Sequence, residues 1–296
     1  LALLPWVGFL IYHVFGPQRI ERQRLRRARV RGELPAQPLA GSQEVAELAR
    51  MAQAATGLPM TTASDVRLLV DGAAKYEALL ADIASAREHV HLEYYIWHPD
   101  RTGEALRDAL AERARAGVRV RVLVDALGAA RCQRLFRSLV EAGGEVAWFH
   151  PTRFGRIWQR PWTNLRSHRK ISDDQHDGLN DAAYRDLHVR MEGNVVRALQ
   201  LVFVEDWAYA TGEREFIGEV ARQTPPLPEG PVRGQVITSG PDSHWEAIHR
   251  AHVAAIHAAK QRVWLVTPYF VPGEAAMMSL TSAALAGLDV RLLVPR

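Results

Sequence analysis

His168 and Lys170 are the residues of this chain whose types and spacing point most directly to chemistry. They flank Arg169 in the only His-x-Lys of the sequence, and Lys170 is one of three lysines, with Lys75 and Lys260, among 37 basic residues. A chain that otherwise uses arginine thus places a compact ammonium two residues from an imidazole. On a β-strand, residues i and i+2 share a face, so both groups would stand over one small volume. That pairing suits a phosphate ester. An imidazole with an ordinary pKa of about 6.5 can attack phosphorus or carry a proton at neutral pH, and the ammonium neutralises the non-bridging oxygens. Taken alone, the tripeptide reads as a surface strand turning two polar side chains to water; its surroundings give it weight.

The elements that must position this pair come as an internal repeat. KYEALLADIASAREHVHLEYYI (75–96) and SHWEAIHRAHVAAIHAAKQRVWLVTPYF (243–270) each read as an amphipathic helix running into an apolar, aromatic strand. A second helix and strand come next in each copy: EALRDALAERARAG then VRVRVLV, and EAAMMSLTSAALAG then LDVRLLV, with Gly117 and Gly287 as matching landmarks. This alternation predicts an α/β fold, two similar lobes with mostly parallel central sheets. The first lobe spans 65–222 and the start of the second 231–296, with QTPPLPEG (223–230) as the linker. A second-lobe counterpart of His168 would fall beyond Arg296.

Residues 1–17 open with LALLPWVGFLIYHVF, almost wholly apolar and closed by Gly16-Pro17. About 15 helical residues reach some 23 Å, short of the roughly 30 Å hydrocarbon core, so the stretch reads as the C-terminal part of a transmembrane helix. Arg19, Arg22, Arg24, Arg26, Arg27, Arg29 and Arg31 come next against Glu21 alone, a net +6 that leaves −2 on the rest of a chain whose total is +4. A basic cluster just after a span places the lobes on the cytoplasmic side of the membrane and attracts anionic headgroups. Residues 18–64 read as this juxtamembrane segment and a linker carrying one short helix, 44–56. The sole cysteine, Cys132, rules out an internal disulfide and a cysteine-based metal site and fits a reducing compartment.

Between the first lobe's repeat elements and His168, FHPTRFGRIWQRPWTNLR (149–166) interleaves Phe154, Trp158 and Trp162 with Arg153, Arg156, Arg160 and Arg166. Such a loop fits the headgroup level of a bilayer, rings inward and guanidinium groups on phosphate. It equally fits a nucleic-acid strand or tryptophans that cap the lobe; the apolar N-terminal stretch favours lipid. Glu93 and Tyr269 sit at equivalent strand ends, where ligands of α/β sheets bind, and are candidate supporting residues with packing as the plain alternative. Glu246, His249, His252 and His257 share one helix, but no third ligand converges, and Asp173, Asp174, His176, Asp177 and Asp181 do not follow a cation-loop order; no metal is expected.

LLVDGAAKYEALLADIASAREHVHLEYYIWHPDRTG, AERARAGVRVRVLVDALG, FHPTRF, SHRKI, YRDLHVRMEGNVVRALQLVFVEDWAYATGE, ITSGPDSHWEAI, VWLVTPYFVPGEA and GLDVRLLVPR resemble, in that order, the phospholipase D superfamily and within it the bacterial cardiolipin synthases. The resemblance implies two His-x-Lys-x4-Asp motifs, one per lobe, meeting at a pseudo-twofold interface, with no metal or other cofactor. It implies that one His attacks the phosphodiester of phosphatidylglycerol to form a phosphohistidine while the other protonates the departing glycerol. A second phosphatidylglycerol then accepts the phosphatidyl group to give cardiolipin. His168 and Lys170 match the first motif. Gln175 stands where its Asp belongs, Asp173 comes early, and the pattern predicts that about fifteen residues are missing between Lys170 and Ser172. On this reading the chain is a phosphatidyltransferase whose partners are phosphatidylglycerol and anionic membrane lipids, with pairing of two protomers left open as a source of the second His. The alternatives are a phosphodiesterase or nuclease, disfavoured by the acidic balance outside the first 32 residues so that no nucleic acid is expected, and an inactive lipid-binding remnant.

Overall fold

The computed structural model describes residues 43–149, 186–213, 216, 229–240, 245–267 and 269–294. These divide into two compact units, one drawn from Thr62–Val232, the other from Arg233–Arg296 with the stretch before Thr62. The short strands β1 (Thr61–Ala63) and β7 (Val232–Gly234) lie where the chain passes from one unit to the other.

The unit from Thr62–Val232 is α/β. Its elements are β2 (Asp65–Val70), α2 (Asp71–Ser85), β3 (His89–Tyr94), α3 (Arg101–Arg115), β4 (Arg119–Asp125), α4 (Arg137–Glu141), β5 (Glu145–Phe149), β6 (Leu187–Glu192) and α5 (Val195–Thr211); α1 (Gln43–Thr56) precedes them. The strands β3, β4 and β5 form a parallel sheet in that order, each joined to the next through a helix, as parallel neighbours require. The strands β2 and β6 pair antiparallel.

Alternation along the strands gives the parallel sheet two unlike faces. Val90, Leu92 and Tyr94 of β3 and Val120, Val122 and Val124 of β4 join Ile83 of α2, Leu106 and Leu110 of α3 and Leu139 of α4 in one apolar core. Trp97 packs edge-on against Tyr94 and Phe136, each at a centroid distance of 4.9 Å. On the other face α5 brings Phe203, Val204 and Trp207 against Leu123, Ala147 and Phe149. α3 begins at Asp100, whose Oδ1 accepts from Gly103 N at 2.8 Å. Arg190 of β6 donates twice to Asp82 of α2, at 2.8 Å each, and so ties the antiparallel pair to the helix layer.

The other unit contains α1, α6 (Ala247–Ala258), β8 (Arg262–Val266), α7 (Glu274–Leu285) and β9 (Asp289–Leu293), with β8 and β9 parallel. Ile256, Val263, Leu280 and Ala283 form its core with Leu265 and Val290 packed around them. Gln235 Nε2 donates to Ala49 O (3.1 Å) and Leu58 O (2.9 Å), holding the end of α1. The predicted helix over 44–56 is present as α1.

The order helix, strand, helix, strand recurs in both units, down to single hydrogen bonds. Ala86 N donates to Ile83 O and Ala259 N to Ile256 O; Val118 N donates to Arg113 O and Leu288 N to Ala283 O; Arg119 N donates to Glu88 O and Asp289 N to Gln261 O. Gly117 and Gly287 close the second helix of each set with φ of +86° and +89°, a left-handed geometry that a side chain rarely adopts. Among the described residues no helix is long and apolar enough to cross a membrane; Leu1–Phe15 lies outside them.

Gly128 sits so close to the end of β3 that a Cβ would come 2.0 Å from Tyr95 O. The Gly128→Ala substitution is expected to lower stability by roughly 2 kcal/mol or more. Urea unfolding monitored by circular dichroism checks this; a shift below the error of the measurement would contradict the packing described.

Candidate active site

One face of the β3–β4–β5 sheet carries a file of titratable groups. His89, His91 and Glu93 point to it from β3, and Arg121, Leu123 and Asp125 from β4, with His91 beside Arg121 and Glu93 beside Leu123 in the register. Glu93 and Asp125 are each 1% exposed and stand at the C-terminal ends of neighbouring strands, one diagonal step apart. Carboxylates are seldom buried this completely without a purpose in hydrogen bonding or catalysis. Asp125 Oδ1 accepts from Leu127 N (2.9 Å) and Gly128 N (3.2 Å), which folds the loop after β4 back over the sheet end.

Behind the carboxylates the face is aromatic and cationic. His91 stacks on Phe203 of α5, with centroids 4.7 Å apart and rings 4° from parallel, and His89 stacks on His91 at 4.6 Å. Gln200 bonds to His91 Nδ1, while the buried Nε2 has no hydrogen-bond partner among the described residues. Burial, then the neighbouring His89, pushes the His91 pKa down to about 3; His89 is also lowered, by burial and Arg119. Both rings are therefore neutral at physiological pH. Arg121 lies over the Phe216 ring at 4.1 Å and pairs with Glu145 at 3.1 Å.

Lys75 is 3% exposed in the first turns of α2, with Nζ 3.3 Å from Tyr76 Oη and 4.5 Å over the Tyr76 ring. Cys132 is buried and donates from Sγ to Trp97 O at 3.0 Å; burial, then Asp100, pushes its thiol up to about 11. A thiol held protonated in this way is no nucleophile.

Of the candidate residues, Glu93 lies on this face. Tyr269 belongs to the other unit, comes after β8 and is 84% exposed. His168, Lys170, Asp173, Arg153, Arg156, Trp158, Arg160, Trp162 and Arg166 lie outside the described residues. Asp125 and Lys75 are buried polar groups that the sequence reading does not count among the site residues. An acid ending an apolar run (VLVD) and a lysine in an arginine-rich chain are the signals it offers for them.

The histidines of α6 do not converge. His252 Nδ1 is 2.8 Å from Ile248 O on its own helix, His257 Nε2 is 3.1 Å from Ser279 Oγ, and His249 Nδ1 is 4.0 Å from Glu246. Among the described residues no three His, Cys, Asp or Glu side chains are grouped to hold a metal ion.

A cardiolipin synthase from Geobacillus kaustophilus (strain HTA426) is 35% identical to this chain, matching all of it and 64% of the relative. One from Alkalihalophilus pseudofirmus is 32% identical over the same shares of each chain. The chain is thus similar along its whole length to proteins named cardiolipin synthase. The major cardiolipin synthase of Bacillus subtilis (strain 168) is 37% identical over 79% of this chain and 52% of its own. The chain spans less than two-thirds of the length of these relatives. The match to the Geobacillus protein runs over 329 residues against the 296 here, so that relative carries residues within the matched span that have no counterpart in this chain. No protein-family profile matches the chain. In fold it is similar to the crystal structure of phosphatidylserine synthase from Haemophilus influenzae Rd KW20, with a TM-score of 0.57 at 12% identity over 84% of this chain and 66% of that one.

The depressed His91 sets a pH dependence. Between about pH 6.5 and 3 the unfolded chain takes up a proton at this position and the folded one does not, so stability is lost as pH falls through that window. Equilibrium unfolding across it is expected to show up to about 1.4 kcal/mol per pH unit from this ring, and His91→Phe, which keeps the stack on Phe203, flattens the slope by that amount. An unchanged slope in His91→Phe would remove His91 from this role.

Proposed function

We propose that this chain is the phosphatidyl-transferring part of a cardiolipin synthase of the phospholipase D type, converting two phosphatidylglycerol molecules into cardiolipin and glycerol. The observation that carries the reading is identity of 35% along the whole chain to a relative of that name. The same identity supports reading the two units as two phospholipase D-type lobes, the first over 65–222 and the start of the second over 231–296, as do their matched hydrogen bonds.

In this mechanism the His168 imidazole attacks phosphorus of the first phosphatidylglycerol. A phosphorus–nitrogen bond forms, the bond to the terminal glycerol oxygen breaks, and that oxygen leaves with a proton from a general acid. A glycerol hydroxyl of the second phosphatidylglycerol then attacks the phosphohistidine, loses its proton to the same group acting as base, and frees His168. No net oxidation occurs, and neither a metal nor an organic cofactor is called for. Lys170 balances the non-bridging oxygens as charge shifts, Asp173 orients His168, and Glu93 and Tyr269 stand as supporting residues, each within its own unit. The general acid is the second-motif His of the family, from the same polypeptide or from a paired protomer.

Residues 1–17 anchor the protein in the inner membrane, and the arginines of 18–31 hold the catalytic lobes against its cytoplasmic face. Arg153, Arg156, Arg160 and Arg166 with Trp158 and Trp162 take up lipid headgroups. A second reading, an inactive lipid-binding remnant, is favoured by one observation: the matched span of the relative exceeds this chain's length, 329 residues against 296.

Incubating the purified chain with vesicles of phosphatidylglycerol labelled in its terminal glycerol separates the two. Release of labelled glycerol with cardiolipin, reduced at least about a thousandfold in His168→Ala, is the expected outcome. Equal rates in both would overturn the mechanism, and vesicle binding without release would establish the inactive reading.

A further inference from the structure

The helix that crosses between neighbouring parallel strands is α3 in the unit from Thr62–Val232, joining β3 to β4, and α7 in the other, joining β8 to β9. The hydrogen bonds that close them pair Val118 with Arg113 and Leu288 with Ala283, which sets the two helices in step at an offset of 170 residues. Their inner sides agree. Leu106 and Leu110 of α3, and Leu280 and Ala283 of α7, reach into the core of their own unit.

The outer sides do not agree. α3 exposes Arg101, Glu104, Asp108, Glu112 and Arg115, and seven of its fifteen residues are charged. At the matching places α7 has Met278 for Asp108, Ser282 for Glu112 and Leu285 for Arg115. Met278 is 63% and Leu285 90% exposed, and Val271, just before the helix, is 90% exposed. Glu274, in the first turn, is the one charged residue between Arg262 and Asp289. A helix that is apolar all round is ordinarily buried, so a side left open calls for a neighbour other than water.

We propose that the outer side of α7 lies in the surface of a bilayer, at the boundary of headgroups and acyl chains, an inference that rests on the membrane reading of the proposed function and names its contact surface. Three observations choose lipid. Thr281 Oγ1 donates back to Met277 O at 2.9 Å, so the exposed hydroxyl of this side is satisfied by its own helix, as a medium without hydrogen-bonding partners requires. Twelve helical residues make a stripe about 18 Å long and 10 Å wide, roughly a quarter of the ~800 Å² per partner that a stable dimer buries, whereas a bilayer sets no such floor. Met277 and Met278 are unbranched and adaptable, which suits a surface of moving acyl chains, and no charged rim surrounds them on the helix as a protein partner would need. The loop between β8 and α7 carries exposed Tyr269 and Val271, so the same contact brings the C-terminal end of β8 to the level of the lipid headgroups.

Bimane attached at Met278→Cys or Leu285→Cys in the 296-residue chain tests this, in vesicles of phosphatidylcholine and phosphatidylglycerol that carry a nitroxide high on the acyl chain. Cys132 is buried, which leaves the introduced thiol as the one that reacts. Glu112→Cys, on the outer side of α3, is the reference. Fluorescence from positions 278 and 285 is expected to fall at least about twofold on nitroxide vesicles while that from position 112 holds, and Ser282→Asp, added to Leu285→Cys, is expected to restore it. Absence of quenching at 278 and 285, or equal quenching at 112, overturns the proposal. So does shielding of the bimane that appears without vesicles as the protein is concentrated, which means a second copy. Quenching reads depth and glycerol release reads turnover, so this inference and the function it rests on fail separately.

Discussion

A parallel sheet is stable only when both faces are covered, and here one of them carries His89, His91, Glu93, Arg121 and Asp125. Burying such a face demands a cover that answers each polar group, because an unanswered one costs about 1–3 kcal/mol. α5 meets part of the demand with unlike tools: a parallel ring for His91, an amide for its Nδ1, and an indole beside Arg121. The crossover helices on the other side supply only aliphatic and aromatic volume. The asymmetry explains why strands that look uniformly hydrophobic from one side keep a file of titratable groups on the other, with two acids at the C-terminal strand ends.

Much of this architecture is legible in the sequence. The apolar positions of α2, α3, α6 and α7 recur at helical spacing, and the glycines at 117 and 287 announce the turn into each following strand, which is where the structure puts them. The antiparallel pairing of β2 with β6 is harder to read. DVRLLV and LHVRME have the alternation of strands but lie far apart in the chain, and nothing local says which neighbour each will take. Tertiary pairing decides direction there, not propensity.

The site is legible only in part, for a physical reason. Glu93 lies at the end of β3 and Tyr269 three residues past the end of β8, and their surroundings differ sharply: Glu93 is 1% and Tyr269 84% exposed. Periodicity assigns a residue to a face and is silent on whether that face is covered. The burial of Lys75 and Asp125 arises from contacts with loops and helix turns, which no spacing rule encodes. His91, on an alternating strand, reads as a solvent-facing histidine until α5, more than a hundred residues later, is laid across it.

The matched copies are not the same length. The register equates β3 with β8 at an offset of 173 residues (His89 to Arg262), whereas β4 and β9 correspond at 170 (Arg119 to Asp289). Three residues have been gained or lost between the two, and the hydrogen bonds that close α3 and α7 keep step at the later offset, so the change lies between the strand's end and the helix's final turns. The two units thus keep a common frame and differ in length only at the rim between the first strand and the second helix.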